Sequence, residues 1–192
     1  WGKSSSEIDA FIQRQLAEGN QYSVSNRAFV SDYCRNRNIP LASHDDATLE
    51  HIEQAVHLGA KIAEFPTTLD AARAARQFGL EVMVGTPNLV CGGSHSGNVS
   101  AAKVAVEGLV TALSSDYVPL SLLHGVFLLT SATVGLSLPR AVACASIGPA
   151  RTVGLEDRGS IETERIADLV RVHILNDLPM VTGVWRSGQR VA

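Results

Sequence analysis

Ile39-Pro40-Leu41-Ala42-Ser43-His44-Asp45-Asp46 is a short apolar run that stops abruptly at a serine, a histidine and two aspartates. A buried strand reads this way where it surfaces into a polar pocket. The pattern recurs. Ala60-Lys61-Ile62-Ala63 meets Glu64, Leu80-Glu81-Val82-Met83-Val84-Gly85 meets Thr86-Pro87-Asn88, and Leu113-Ser114-Ser115 meets Asp116. A segment with helical apolar spacing follows each run. The sequence therefore predicts a parallel α/β fold with its polar residues at the carboxyl ends of successive strands, where such folds place their chemistry.

The intervening segments agree with this reading. Leu49, Ile52, Ala55 and Val56 share one helical face that Gly59 terminates, and one of Asp45 and Asp46 is expected to cap that helix. Thr67 and Asp70 have capping-box spacing ahead of a second helix carrying Leu69, Ala72, Ala75 and Phe78, stopped by Gly79. Upstream, residues 1–22 read as a marginal helix and a loop at Gly19-Asn20-Gln21, and 23–38 as a helix that Pro40 limits. Downstream, Thr86 to Asn98 reads as a long loop, and loops of that length without secondary structure tend to be functional or disordered. Helices are expected at 101–112, 121–133 and 139–146. From Gly154 the chain becomes strand-like and reads as a small all-β appendage. Four parallel units are half of a closed (β/α) barrel; a free-standing small doubly wound sheet is the competing architecture.

The chain has 192 residues and a formal net charge of -3. That balance gives no electrostatic reason for a nucleic-acid or anionic-membrane partner. Cys34, Cys91 and Cys144 stand far apart, without the spacing of a disulfide framework or structural zinc, so reducing cytoplasm is the expected compartment. No stretch approaches the roughly 20 apolar residues of a membrane span. The sequence starts Trp1-Gly2-Lys3, without methionine.

Several residues are placed to carry chemistry. His44 at a strand end is a candidate metal ligand or general base, because imidazole binds zinc, nickel or iron and titrates near neutrality; the bland reading is a histidine hydrogen-bonded in a loop. Glu64, one unit later, is either a ligand for metal or a substrate hydroxyl, or an ion-pair partner. Asp116 follows an isolated apolar strand and is either a ligand and proton acceptor or a helix cap. His95 lies in the glycine-rich run Gly92-Gly93-Ser94-His95-Ser96-Gly97-Asn98, whose amides suit an anion nest, with a contact-free lid as the alternative. His51 and His57 read as surface histidines, and His124 and His173 as structural.

Taken together, the runs 41–48, 62–68, 92–99 and 113–117 resemble, in order and spacing, the amidohydrolase-superfamily hydrolases of phosphonate breakdown. The tail segments 154–161, 167–170 and 184–188 resemble the return of that superfamily into its small β-sandwich. The resemblance implies the carboxy-terminal half of a (β/α)8 TIM-type barrel over 1–153 and part of a β-sandwich over 154–192. It also implies one or two divalent ions (zinc, or manganese or iron) and a small phosphorylated ribose substrate, whose 5-triphosphate is hydrolysed to the 5-phosphate and pyrophosphate. His44 matches a metal-binding histidine of the fifth strand of that family, and Asp116 the eighth-strand aspartate, ligand and catalytic proton acceptor. Glu64 stands where many relatives carry a sixth-strand histidine, which leaves it a candidate ligand. Gly92, Gly93, Ser94, His95, Ser96 and Asn98 would hold the phosphates. Cys91 departs from the pattern where an arginine is expected, and Gly148 where an asparagine is usual. The ligands that the family places on its first strands are not in this sequence. The fragment is therefore expected to be inactive alone and to associate with itself. The same scaffold also serves amide, imide and deamination chemistry, and a non-catalytic scaffold fragment is the reading from a different class.

Overall fold

The computed structural model describes residues 4–94 and 96–192. Residues 1–39 and 40–192 form two compact units.

The first unit is one helix, α1 (Ser5–Asn36). Ser4 and Glu7 form a reciprocal capping box at its start, and those bonds hold the Glu7 carboxyl below its ordinary range. The loop expected at Gly19-Asn20-Gln21 is absent; the helix runs through all three residues. A mid-helix glycine costs only about 1 kcal/mol, and an established helix gains one hydrogen bond for every residue it adds. Arg37 stacks on the Tyr33 ring at 3.8 Å, and Asn38 turns left-handed (φ 53°) to end the element.

The second unit begins with four strands and the helices between them. They are β1 (Leu41–His44), α2 (Leu49–His57), β2 (Ala60–Glu64), α3 (Leu69–Gln77), β3 (Glu81–Gly85), α4 (Thr86–Val90), α5 (Ala101–Val106) and β4 (Ala112–Ser114). The strands form one parallel sheet in the order β1-β2-β3-β4. Apolar residues at strand and helix spacing make the core. Val82 and Val84 of β3 pack with Ile52 of α2, Val104 of α5 and four alanines of α3, Ala71, Ala72, Ala74 and Ala75, whose small side chains let that helix lie close on the sheet.

Thr48 and Thr68 are the caps that start α2 and α3, accepting from the amides of His51 and Ala71. This corrects the expectation that Asp45 or Asp46 caps the first of them and Thr67 the second. Asp46 is instead buried, its carboxylate receiving the Ser43 hydroxyl. The long loop expected after β3 is shortened by α4, which Pro87 starts in its first turn, where a missing amide hydrogen costs nothing. α5 ends earlier than its apolar pattern, because Gly108 (φ 70°) turns the chain back toward β4.

Three helices follow, α6 (Ser121–Leu129), α7 (Leu138–Ala143) and α8 (Ile147–Thr152). The amide of Leu113 in β4 donates to the Cys144 carbonyl just after α7, so that sheet edge is partly satisfied. Gly148 is also explained: a Cβ there would stand 2.2 Å from the Thr111 carbonyl oxygen, so no side chain fits. The strand-like tail is a three-stranded antiparallel sheet of β5 (Leu169–Leu175), β6 (Leu178–Arg186) and β7 (Gln189–Arg190). Among the described residues no helix is long and apolar enough to cross a membrane.

Candidate functional site

Parallel pairing in register sets residues of successive strands side by side. His44 therefore stands directly opposite Glu64, and Glu64 opposite Met83. The carboxyl ends of β1, β2 and β4 each continue into a left-handed residue, Asp45 (φ 58°), Phe65 (φ 54°) and Asp116 (φ 49°). Such angles are costly for residues other than glycine and gather at functional sites. The turns are held by backbone bonds. Asp45 N donates to the Glu64 carbonyl at 3.0 Å, Phe65 N to the Met83 carbonyl at 2.9 Å, and Asp116 N to Ser114 Oγ at 3.1 Å.

The loops beyond these turns are laced together. Thr67 N and Oγ1 both donate to the Asp46 carbonyl, Thr68 Oγ1 donates to the Ala47 carbonyl, and Val99 N donates to the Thr67 carbonyl. Asn88 closes the glycine-rich loop at its base, accepting from Ala101 N and donating to the Val99 carbonyl. The loops after β1, β2 and β3 are thereby fixed relative to one another by main-chain groups and by the half-buried side chains of Thr67, Thr68 and Asn88.

A pocket of about 220 Å3 opens between them. Asp45 and Asp116 bring two carboxylates to its wall, and Gly93, Ser94, Ser96 and Asn98 bring the small polar face of the glycine-rich loop. Asp116 reaches over Gly85, its Oδ2 lying 3.7 Å from the place a Cβ on that glycine would take. Among the described lining residues there is no cationic side chain. An anion entering here would meet two carboxylates and the small polar loop, and would need a cation beside it.

The sequence-predicted residues divide. His44 and Glu64 are brought together, Nδ1 to Oε2 at 2.9 Å, with the Phe65 ring edge-on to the imidazole at 5.4 Å. Neither lines the pocket, but His44 Nε2 lies 3.6 Å from Asp45 Oδ2, which does. Asp116 faces the pocket, as do Gly93, Ser94, Ser96 and Asn98; Gly92 caps α4 in a left-handed turn instead. His95 lies outside the described residues. His124 is half-buried, and His51, His57 and His173 are exposed. Among the described residues no three of His, Cys, Asp and Glu converge to hold a metal ion. The donors here suit part of a divalent site: an imidazole nitrogen without a hydrogen-bond partner among the described residues, with a carboxylate beside it.

Sequence reasoning missed two contributors, Asp45 as a pocket residue and Asn88 as the loop's anchor. The signal for Asn88 was present, a polar side chain three residues past a buried strand and just inside a Pro-started turn.

Known proteins resemble this chain over nearly its whole length. Over 186 residues the chain is 44% identical to alpha-D-ribose 1-methylphosphonate 5-triphosphate diphosphatase of Escherichia coli, covering 96% of this chain and 49% of that protein. It thus spans about half the length of the curated relative it matches. Among solved structures, a prolidase complexed with N-methylphosphonate-L-proline superposes with TM-score 0.60 at 21% identity, over 86% of this chain and 48% of the other. The ochratoxinase of A. niger superposes with TM-score 0.61 at 16% identity, over 85% and 44%. These two likenesses show a shared fold. Residues 7–191 match the amidohydrolase family, and to that family the chain belongs.

Proposed function

We propose that this chain is the carboxy-terminal half of a metal-dependent hydrolase that cuts α-D-ribose 1-methylphosphonate 5-triphosphate to the 5-phosphate and pyrophosphate. The observation that carries the reading is the 44% identity to the diphosphatase across nearly the whole chain. The pocket supports it, because Asp116 faces the small polar loop across a space open to a phosphate chain. In this reading residues 1–153 form half of the (β/α) barrel and 154–192 part of the β-sandwich, in a cytoplasmic enzyme whose remaining ligands lie outside this chain.

A divalent ion, when bound, would polarise the phosphoryl oxygens and lower the pKa of water at neutral pH. His44 would hold it, with carboxylates beside it. Asp116 accepts the proton of the attacking water, and its position over Gly85 aims the carboxylate into the pocket. The loop amides around Gly93 and Ser94 orient the phosphates.

The test is pyrophosphate release by the protein carrying this chain, from ribose 5-triphosphates and nucleoside triphosphates, with metal supplied. Asp116→Asn is expected to lower kcat by about 10²–10⁴-fold, the usual worth of a positioned base. Turnover unchanged in that variant would overturn the role of Asp116. Full-rate turnover by residues 1–192 alone would overturn the half-enzyme reading.

One observation favours a second reading, hydrolysis of an amide or cyclic imide. Cys91 occupies the place expected for a phosphate-binding arginine, and the described pocket wall carries no cation. Cleavage of N-acyl or cyclic amides in the same assays, with triphosphates untouched, would favour it.

A further inference from the structure

The cluster at the ends of β1 and β2 contains more acidic groups than one ligand position needs, and its geometry separates their roles. His44 uses Nδ1 toward Glu64 Oε2 at 2.9 Å, a full hydrogen bond. Its Nε2 is 3.6 Å from Asp45 Oδ2, beyond hydrogen-bond range, so that nitrogen is not donating to the aspartate. The imidazole is about half exposed and braced by the Phe65 ring, so its orientation is set by Glu64 on one side and an aromatic edge on another. Two ligands about 2.0–2.1 Å from one ion, at a tetrahedral angle, lie about 3.4 Å apart. The Nε2–Oδ2 separation is close to that. Asp45 also lines the pocket that Asp116 faces, and Glu64 does not.

We propose that Glu64 is a positioning residue that fixes His44 with its proton on Nδ1, and that His44 Nε2 and Asp45 Oδ2 are the pair this chain turns toward a divalent cation. The proposal deepens the metal-dependent reading above and rests on it. It reverses the expected roles of two carboxylates: Glu64, a candidate ligand by its place in the sequence, acts through the histidine, and Asp45, a turn residue by the same reading, faces the ion. A carboxylate on the second ring nitrogen fixes the tautomer and raises the basicity of the ligating one. The left-handed turn at Asp45 swings its side chain from the strand direction to the mouth of the pocket.

The test reads the histidine directly. Histidine 15N–1H correlation spectra of the metal-free protein, at about pH 8.5 where imidazole is neutral, should show His44 as the Nδ1–H tautomer. A wild-type spectrum with the proton on Nε2 overturns the proposal and leaves the hydrolase reading standing. Glu64→Ala should mix the tautomers and weaken zinc binding in a calorimetric titration by about 10–100-fold, the usual effect of losing such a partner. Glu64→Gln, which keeps an acceptor oxygen, should restore both to near wild type. If Glu64→Gln loses zinc as fully as Glu64→Ala, Glu64 is itself the ligand and the proposal fails. Asp45→Asn keeps a residue tolerant of the left-handed turn and should weaken zinc binding at least tenfold; unchanged affinity overturns the pairing. A wild-type protein that binds no divalent ion at all overturns this proposal and the metal-dependent reading together.

Discussion

At the level of single side chains, the left-handed turns at Asp45, Phe65 and Asp116 show how the strand ends are used. Each carries roughly 1–2 kcal/mol of backbone strain, and each is held by a hydrogen bond from its own amide, one residue past the last paired one at Asp45 and Phe65 and two past it at Asp116. The strain is local, and the sheet beneath supplies the rigidity that maintains it. Deeper in the core, Cys144 is only 4% exposed, and burial pushes its thiol above the ordinary range, with Arg140 nearby opposing the shift. The sign of the pH effect follows. The unfolded chain ionises this thiol first, so stability is unaffected below about pH 8.5 and falls as pH rises from there toward the folded value. Urea unfolding from pH 7 to about 9.5 should show that decline in the wild type and a shallower one in Cys144→Ala; equal slopes would refute the assignment. These side-chain roles were the least legible part of the sequence. Asp45 and Asp46 are adjacent and chemically identical, yet one is buried on Ser43 and the other faces the pocket. Only the turn between them decides which is which.

Between elements, a close contact joins α4 to α6. A Cβ on Gly125 would stand 2.4 Å from Thr86 Cγ2, and the fully buried Thr86 hydroxyl bridges Ser121 and the Ser114 carbonyl. Gly125→Ala should therefore cost about 1–3 kcal/mol, seen as a lower urea midpoint. Thr86→Ser in the same chain, which removes the clashing methyl and keeps the hydroxyl, should recover part of the loss. An Ala variant as stable as wild type would show that the two helices part freely. The strands and the helices α2 and α3 were legible from period and punctuation, because their apolar faces and terminal glycines agree; their caps, Thr48 and Thr68, were not. α4 was not, since five residues opening on Thr-Pro-Asn carry no periodicity. Nor was the continuity of α1, where Gly19-Asn20-Gln21 has loop composition inside a long helix. Gly148 looked like a departure from a family pattern, and the Thr111 carbonyl shows why nothing larger stands there.

In the molecule as a whole, β1 has one neighbour in the sheet among the described residues, β2, and its Ala42 is exposed, while at the other end Leu113 of β4 donates to the Cys144 carbonyl. A parallel sheet is ordinarily covered on its faces and closed or blocked at its edges. We propose that the 192-residue chain associates with itself at this edge. Sedimentation velocity should give a coefficient that rises with concentration, and a monodisperse monomer throughout would refute the proposal. The order β1-β2-β3-β4 also has a meaning in time. Every strand of the parallel sheet pairs with the strand made just before it, so no pairing waits for a distant part of the chain. Each pairing closes a loop no longer than one crossover connection, so its entropic cost is kept small. A ribosome releasing this polypeptide delivers each new strand next to the one it pairs with, and His44, Asp45 and Glu64 all leave it before Asp116 does.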